Sequence, residues 1–152
     1  MYESVVGADA DNKSQHLISH DYWRLAHAQA KSDKSQFMAA WVGFEISLKN
    51  ALVDVRAKRL GKDANLYKHL VELDSGEVSS EIISVENVQN PLVEDEVVEH
   101  LRWKWILEHD SWFSFSNDEI LAYGVKLLAL HRWYRLRNAA PVASNVFVAP
   151  VQ

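Results

Sequence analysis

Six apolar residues, Phe37, Trp41, Phe44, Leu48, Leu52 and Val55, recur three or four positions apart along one unbroken stretch. Side chains at that spacing share one face of an α-helix, whereas a strand would send them to alternate faces. The stretch has marked ends. Asp33-Lys34-Ser35-Gln36 reads as a capping box, with the Asp33 carboxylate accepting an early N–H and Gln36 reaching back. Lys58 and Arg59 fall in the last turn, where the helix dipole favours cations, and Gly61 supplies a C-terminal stop. A single long helix is therefore predicted, close to roughly 40 Å at about 1.5 Å per residue.

The same reading extends outward. Ser19 or Asp21 caps a first helix running to about Lys31, with Tyr22, Leu25, Ala26 and Gln29 on one side. Residues 62–73 suggest a short helix, and 74–90 an acidic connector with at most one more. Asn90-Pro91 is a strong start, an Asn cap followed by Pro where its missing N–H costs nothing. Val97, Leu101 and Trp105 then give the inner stripe of a helix through about His109. Ser116-Asn117-Asp118-Glu119 caps the last helix. From Ile120 to Leu136 it is apolar nearly all round, which predicts a central helix surrounded by the others, ended by Asn138 and Pro141. The expected fold is all-α, a bundle of long antiparallel helices, about four main ones plus short ones. One helical domain is expected over 16–138, between flexible ends at 1–15 and 139–152. Helix–loop–helix occurs at both 16–60 and 91–137, a weak internal duplication.

Composition removes several functions. The 152-residue chain holds no cysteine, so disulfides and thiolate–metal sites are excluded. No apolar run reaches the roughly 20 residues of a membrane span, and the first residues carry acid where a signal peptide carries base. The expectation is a soluble, cytoplasmic chain. Charge is polarised: residues 74–119 carry a net −10, and 120–152 a net +4. Such a pattern gives either internal neutralisation or polarised partner surfaces.

Candidate chemistry is thin. His20-Asp21 and His109-Asp110 are reminiscent of metal phosphohydrolases, but that chemistry needs a further His and Asp on the same metals. His16, His20 and His27 lack a completing acid or thiolate for zinc. Glu96, Glu99 and His100 have the wrong spacing for a di-iron site. There is no phosphate-binding glycine loop. No cofactor and no catalytic residue is therefore expected. Two clusters remain. Glu45, Lys49, Asn50 and Arg56 suggest a polar network that fixes helix register, with a salt-bridged surface face as the alternative. Arg132, Trp133, Arg135 and Arg137, with Arg59, suggest a partner-binding surface. The basic aromatic end 131–137 could also bind nucleic acid or protein as a simple helical module, but the acidic segment argues against a polyanion.

Two blocks carry a family resemblance. One runs from Phe37 and Trp41 through Phe44-Glu45, Leu48-Lys49-Asn50 and Arg56-Ala57 to Leu60-Gly61. The other begins at Asn90-Pro91-Leu92 and passes Glu96, Leu101-Arg102-Trp103, Phe113 and Phe115. It continues through Leu121-Ala122-Tyr123 and Lys126-Leu127 to Arg132-Trp133. Over about 20–137 the chain resembles a bacterial family encoded among the components of V/A-type rotary ATPases. That family is itself similar to the C-type component of those machines, d-type in eukaryotes. The resemblance implies a non-catalytic, all-helical wedge between the central rotor shaft and the membrane ring. Its partners would be other ATPase subunits, with no nucleic acid, and it would lie on the cytoplasmic side, peripheral to the membrane. The family has an acid before the Arg-Trp pair, where this chain has His131. The chain also departs from the pattern after Asn138, and members carry more residues before the first block.

Overall fold

The computed structural model describes residues 20–76, 78, 82–86, 88, 90–110 and 114–146. The expected N-terminal segment 1–15, His16, Ser19, Phe113 and the last residues of the tail lie outside them. Among the described residues every regular element is helical. These are α1 (20–32), α2 (Gln36–Leu60), α3 (Ile83–Glu86), α4 (Pro91–His109) and α5 (Asn117–Val146), with 3₁₀ turns at Ala64–Leu66 and Val71–Leu73. Where the sequence suggested one helical domain, the fold gathers into two compact units that divide between Ser79 and Ser80, within the acidic connector.

In the first unit α2 is the most enclosed element. The predicted stripe from Phe37 to Val55 is buried, and so is every residue from Trp41 to Leu48. Val42 and Ile46, which lie off that stripe, cluster with Leu70, against which Trp23, Ala26 and Leu73 pack. The inward side of α1 is thus Trp23, Ala26 and Ala30, while Tyr22 and Leu25 are exposed. This corrects the expected face by one residue, about 100° of helix rotation. The cap of α2 also differs. Ser35 is the N-cap, its Oγ accepting from the Met38 N–H at 3.1 Å. The Asp33 carboxylate instead accepts from Gln29 at 3.0 Å. Lys34 takes the left-handed conformation that ends α1, which sets the cap two residues later, at Ser35. At the other end Gly61 adopts φ 62° and closes the helix as expected. Residues 62–73 form two 3₁₀ turns rather than one short helix.

In the second unit α4 and α5 pack as an antiparallel pair. Asn90 Oδ1 accepts from the Leu92 N–H at 3.0 Å, with Pro91 in the first turn, as predicted. The buried face of α4 carries Glu94, Val98, Glu99, Trp105 and Ile106. Ala122, Val125 and Ala129 form the buried face of α5. The box at the start of α5 closes differently from the usual form. Ser116 Oγ accepts from the Glu119 N–H, but the Glu119 carboxylate reaches back to the Phe115 N–H at 2.7 Å. Two expectations for α5 are corrected. It is not surrounded: Ile120, Tyr123, Leu127, Leu128, Leu130 and Tyr134 remain exposed, because α4 covers only one side. Nor does it stop at Asn138, since it continues through Pro141 to Val146. The neighbouring alanines are strong helix formers and offset part of the proline penalty.

Candidate partner-docking site

The packing of α4 on α5 places acids of the −10 segment beside the basic end. Glu99 Oε1 lies 2.5 Å from Arg102 Nη1, one turn further along α4, and 3.7 Å from Arg132 Nη1 on α5. Glu99 is buried, and its Oε2 has no hydrogen-bond partner among the described residues. Asp95, Glu99, Arg132, Arg135 and Leu136 line an open pocket of about 350 Å³. Trp133 is half-buried; the Arg137 guanidinium sits 5.7 Å from its ring, and the His100 ring 6.2 Å away. Cation–π contact of this kind holds the charged group over the indole face while leaving its donors available. Four of the predicted docking residues thus share one stretch of α5, with Arg132 already facing a carboxylate. Arg59 lies in the first unit, exposed in the last turn of α2. The mixed charge of this pocket suits a polar protein surface better than a phosphate chain, which Asp95 and Glu99 would repel.

The other end of the α4–α5 pair is different. Lys126 pairs with Asp110, both side chains almost wholly buried. Above that ion pair lies a cavity of about 560 Å³ lined by Phe115, Ser116, Glu119, Ile120 and Tyr123. Phe115 is 91% exposed and sits at φ 50°, a conformation that a bulky residue rarely adopts. The hydrogen bond from its N–H to Glu119 fixes this geometry. Phe115 is thus outside the core, at the edge of this cavity.

Polar order in the first unit centres on Asn50. Its Nδ2 donates to the His69 carbonyl at 2.9 Å and to Asp74 Oδ2 at 2.8 Å, and its Oδ1 accepts from the His69 N–H at 2.8 Å. Ser47 Oγ donates to Asp74 Oδ1 at 2.6 Å and accepts from the Ser75 N–H at 2.7 Å. Burial raises the Asp74 carboxyl, but the bonds from Ser47, Asn50 and the Gly76 N–H, with the Lys68 charge, outweigh it and hold it below its ordinary value. This cluster clips the loop 69–76 onto α2. Of the four residues expected to form a network, Asn50 is in this clip. Glu45 is buried elsewhere on α2, Arg56 is exposed, and the Lys49 ammonium lies 4.6 Å over the Trp23 ring. Ser47 and Asp74 were not legible as partners, because 27 residues separate them and nothing in the sequence gives the path of the loop.

The His–Asp pairs of the sequence resolve as local contacts. His20 and Asp21 approach to 3.8 Å. His109 stacks on Trp105, with ring centroids 3.9 Å apart, and its Nδ1 lies 2.9 Å from the Trp105 carbonyl, while Asp110 binds Lys126. No three His, Asp or Glu among the described residues converge as metal ligands, and no described helix is long and apolar enough to cross a membrane. No family model matches the chain, and no match is found among curated proteins or solved structures.

Proposed function

We propose that this chain is a non-catalytic helical subunit of a V/A-type rotary ATPase, coupling the central rotor shaft to the membrane ring. It would serve ion transport and ATP synthesis from the cytoplasmic side, peripheral to the membrane. One observation carries the reading: among the described residues, both sequence blocks behind the resemblance fold as long helices. The first is a 25-residue helix capped at both ends and buried on all sides through its middle. The second is an antiparallel pair of 19 and 30 residues tied by Glu99–Arg132 and Asp110–Lys126. A part that transmits torque must resist bending, and close-packed helices with locked ends do so. Arg132, Trp133, Arg135 and Arg137, with Arg59, are the docking residues. Affinity purification of the tagged chain from the cells that make it tests the proposal. Shaft or ring subunits are expected in the eluate, with recovery falling when Arg135 and Arg137 are changed to Glu. An eluate holding no ATPase subunit overturns it.

A further inference from the structure

The apolar side chains that α4 leaves uncovered on α5 are regularly spaced. Ile120, Tyr123, Leu127, Leu130 and Tyr134 follow one another at intervals of three, four, three and four. That is the a/d pattern of a coiled-coil seam, about 21 Å long at about 1.5 Å per residue. All five are between 49% and 71% exposed. Together they present on the order of 600 Å² of surface, at the upper limit of what a lone soluble protein leaves uncovered.

We infer that this seam pairs with the same seam of a second copy, the two α5 helices running antiparallel about a two-fold axis at Leu127. Three observations select this occupant and this direction. First, a two-fold axis at Leu127 sets Ile120 level with Tyr134, seven residues to either side, and brings Tyr123 within one residue of Leu130, so antiparallel copies interleave their seams. Each outer layer then sets an aromatic against an aliphatic side chain, whereas parallel copies would set tyrosine against tyrosine. Second, charge agrees. The first turn of α5 carries Asp118 and Glu119, and its far part carries Arg132, Arg135 and Arg137. Antiparallel pairing puts the acidic start of one copy beside the basic part of the other and opposes the helix dipoles; parallel pairing would set six arginines side by side. Third, the 560 Å³ cavity lined by Phe115, Ile120 and Tyr123 lies at the end of the seam where the second copy's Tyr134 arrives, so a knob meets an existing hole. With the flanking Phe115 and Leu128, each copy offers close to the roughly 800 Å² per partner of a standard interface. An isologous contact of this kind closes on itself and does not propagate.

The inference is independent of the ATPase reading, because it is tested on the purified chain alone. Sedimentation velocity is expected to show a concentration-dependent dimer. Leu127→Glu puts two carboxylates face to face at the axis and is expected to raise the dimer Kd by roughly a hundred-fold or more. Leu127 is half exposed, so helix content by circular dichroism should be unchanged. The chain holds no cysteine, so single replacements report direction. Under mild oxidation Leu127→Cys is expected to cross-link to itself, and Ile120→Cys to Tyr134→Cys but not to itself. A monomer at every concentration up to the solubility limit overturns the inference, as does an Ile120→Cys chain that cross-links only to itself.

Discussion

Replacing Asn50 with alanine removes three hydrogen bonds from the centre of the first unit. Two of them satisfy the N–H and carbonyl of His69, and the third reaches the Asp74 carboxylate. A buried polar group left without a partner costs about 1–3 kcal/mol, and a hydrogen bond to a charged group contributes about 1.5–3 kcal/mol. His69 and Asp74 are only partly buried, so water restores some of this. The expected loss is about 3 kcal/mol, a large share of the stability of a domain of this size. Guanidinium denaturation followed by tryptophan fluorescence measures it, the midpoint falling with little change in slope. Asn50→Asp sharpens the test. It keeps an acceptor for the His69 N–H, but it loses both donations and sets a carboxylate where Asn50 Nδ2 now lies 2.8 Å from Asp74. At pH 7 it should be at least as destabilising as alanine, and the gap should narrow in acid as the two carboxylates share a proton. A loss below about 1 kcal/mol for Asn50→Ala, or a more stable Asn50→Asp at pH 7, would refute the reasoning.

Acid should weaken the fold in two stages. Burial, and then the nearby Lys31 charge, lower the His27 pKa, so below its ordinary 6.5 the unfolded chain takes up that proton first and stability falls. Asp74 is also held low; its contribution is complete above the ordinary 3.8 and is lost as pH falls through its lower folded value. A pH series of denaturation midpoints checks both, and His27→Gln should erase the upper stage alone. Lys126→Met leaves the Asp110 carboxylate buried without this cation and should cost about 3–5 kcal/mol, with Asp110→Asn in the same chain recovering much of it; thermal melts decide this. Gly124 lies inside α5 with open space where a Cβ would sit, so Gly124→Ala should stabilise by about 0.5–1 kcal/mol in the same assay.

Much of the fold was legible from short-range physics. The stripe from Phe37 to Val55, the Gly61 stop and the Asn90-Pro91 start all act within a turn or two of the chain, and each appears where the sequence put it. The candidate site was legible in part. The 131–137 arginines stood out by composition, but their neighbour Glu99 did not, because its role depends on α4 lying beside α5. The start of α2 was misplaced by two residues, since Asp33 and Ser35 are both good caps and only the end of α1 at Lys34 chooses between them.

The sequence by itself determined that this chain forms long capped helices, because periodicity and caps are properties of neighbouring residues. Only the tertiary structure decided which helix is enclosed and which is left bare. Both α2 and α5 are apolar enough to be central, but burial requires other elements to supply a covering surface. In this fold α1 and the 69–76 loop close over α2, while α4 covers only one side of α5. The remaining apolar face of α5 is therefore an open seam, which the pattern of its residues alone could not reveal.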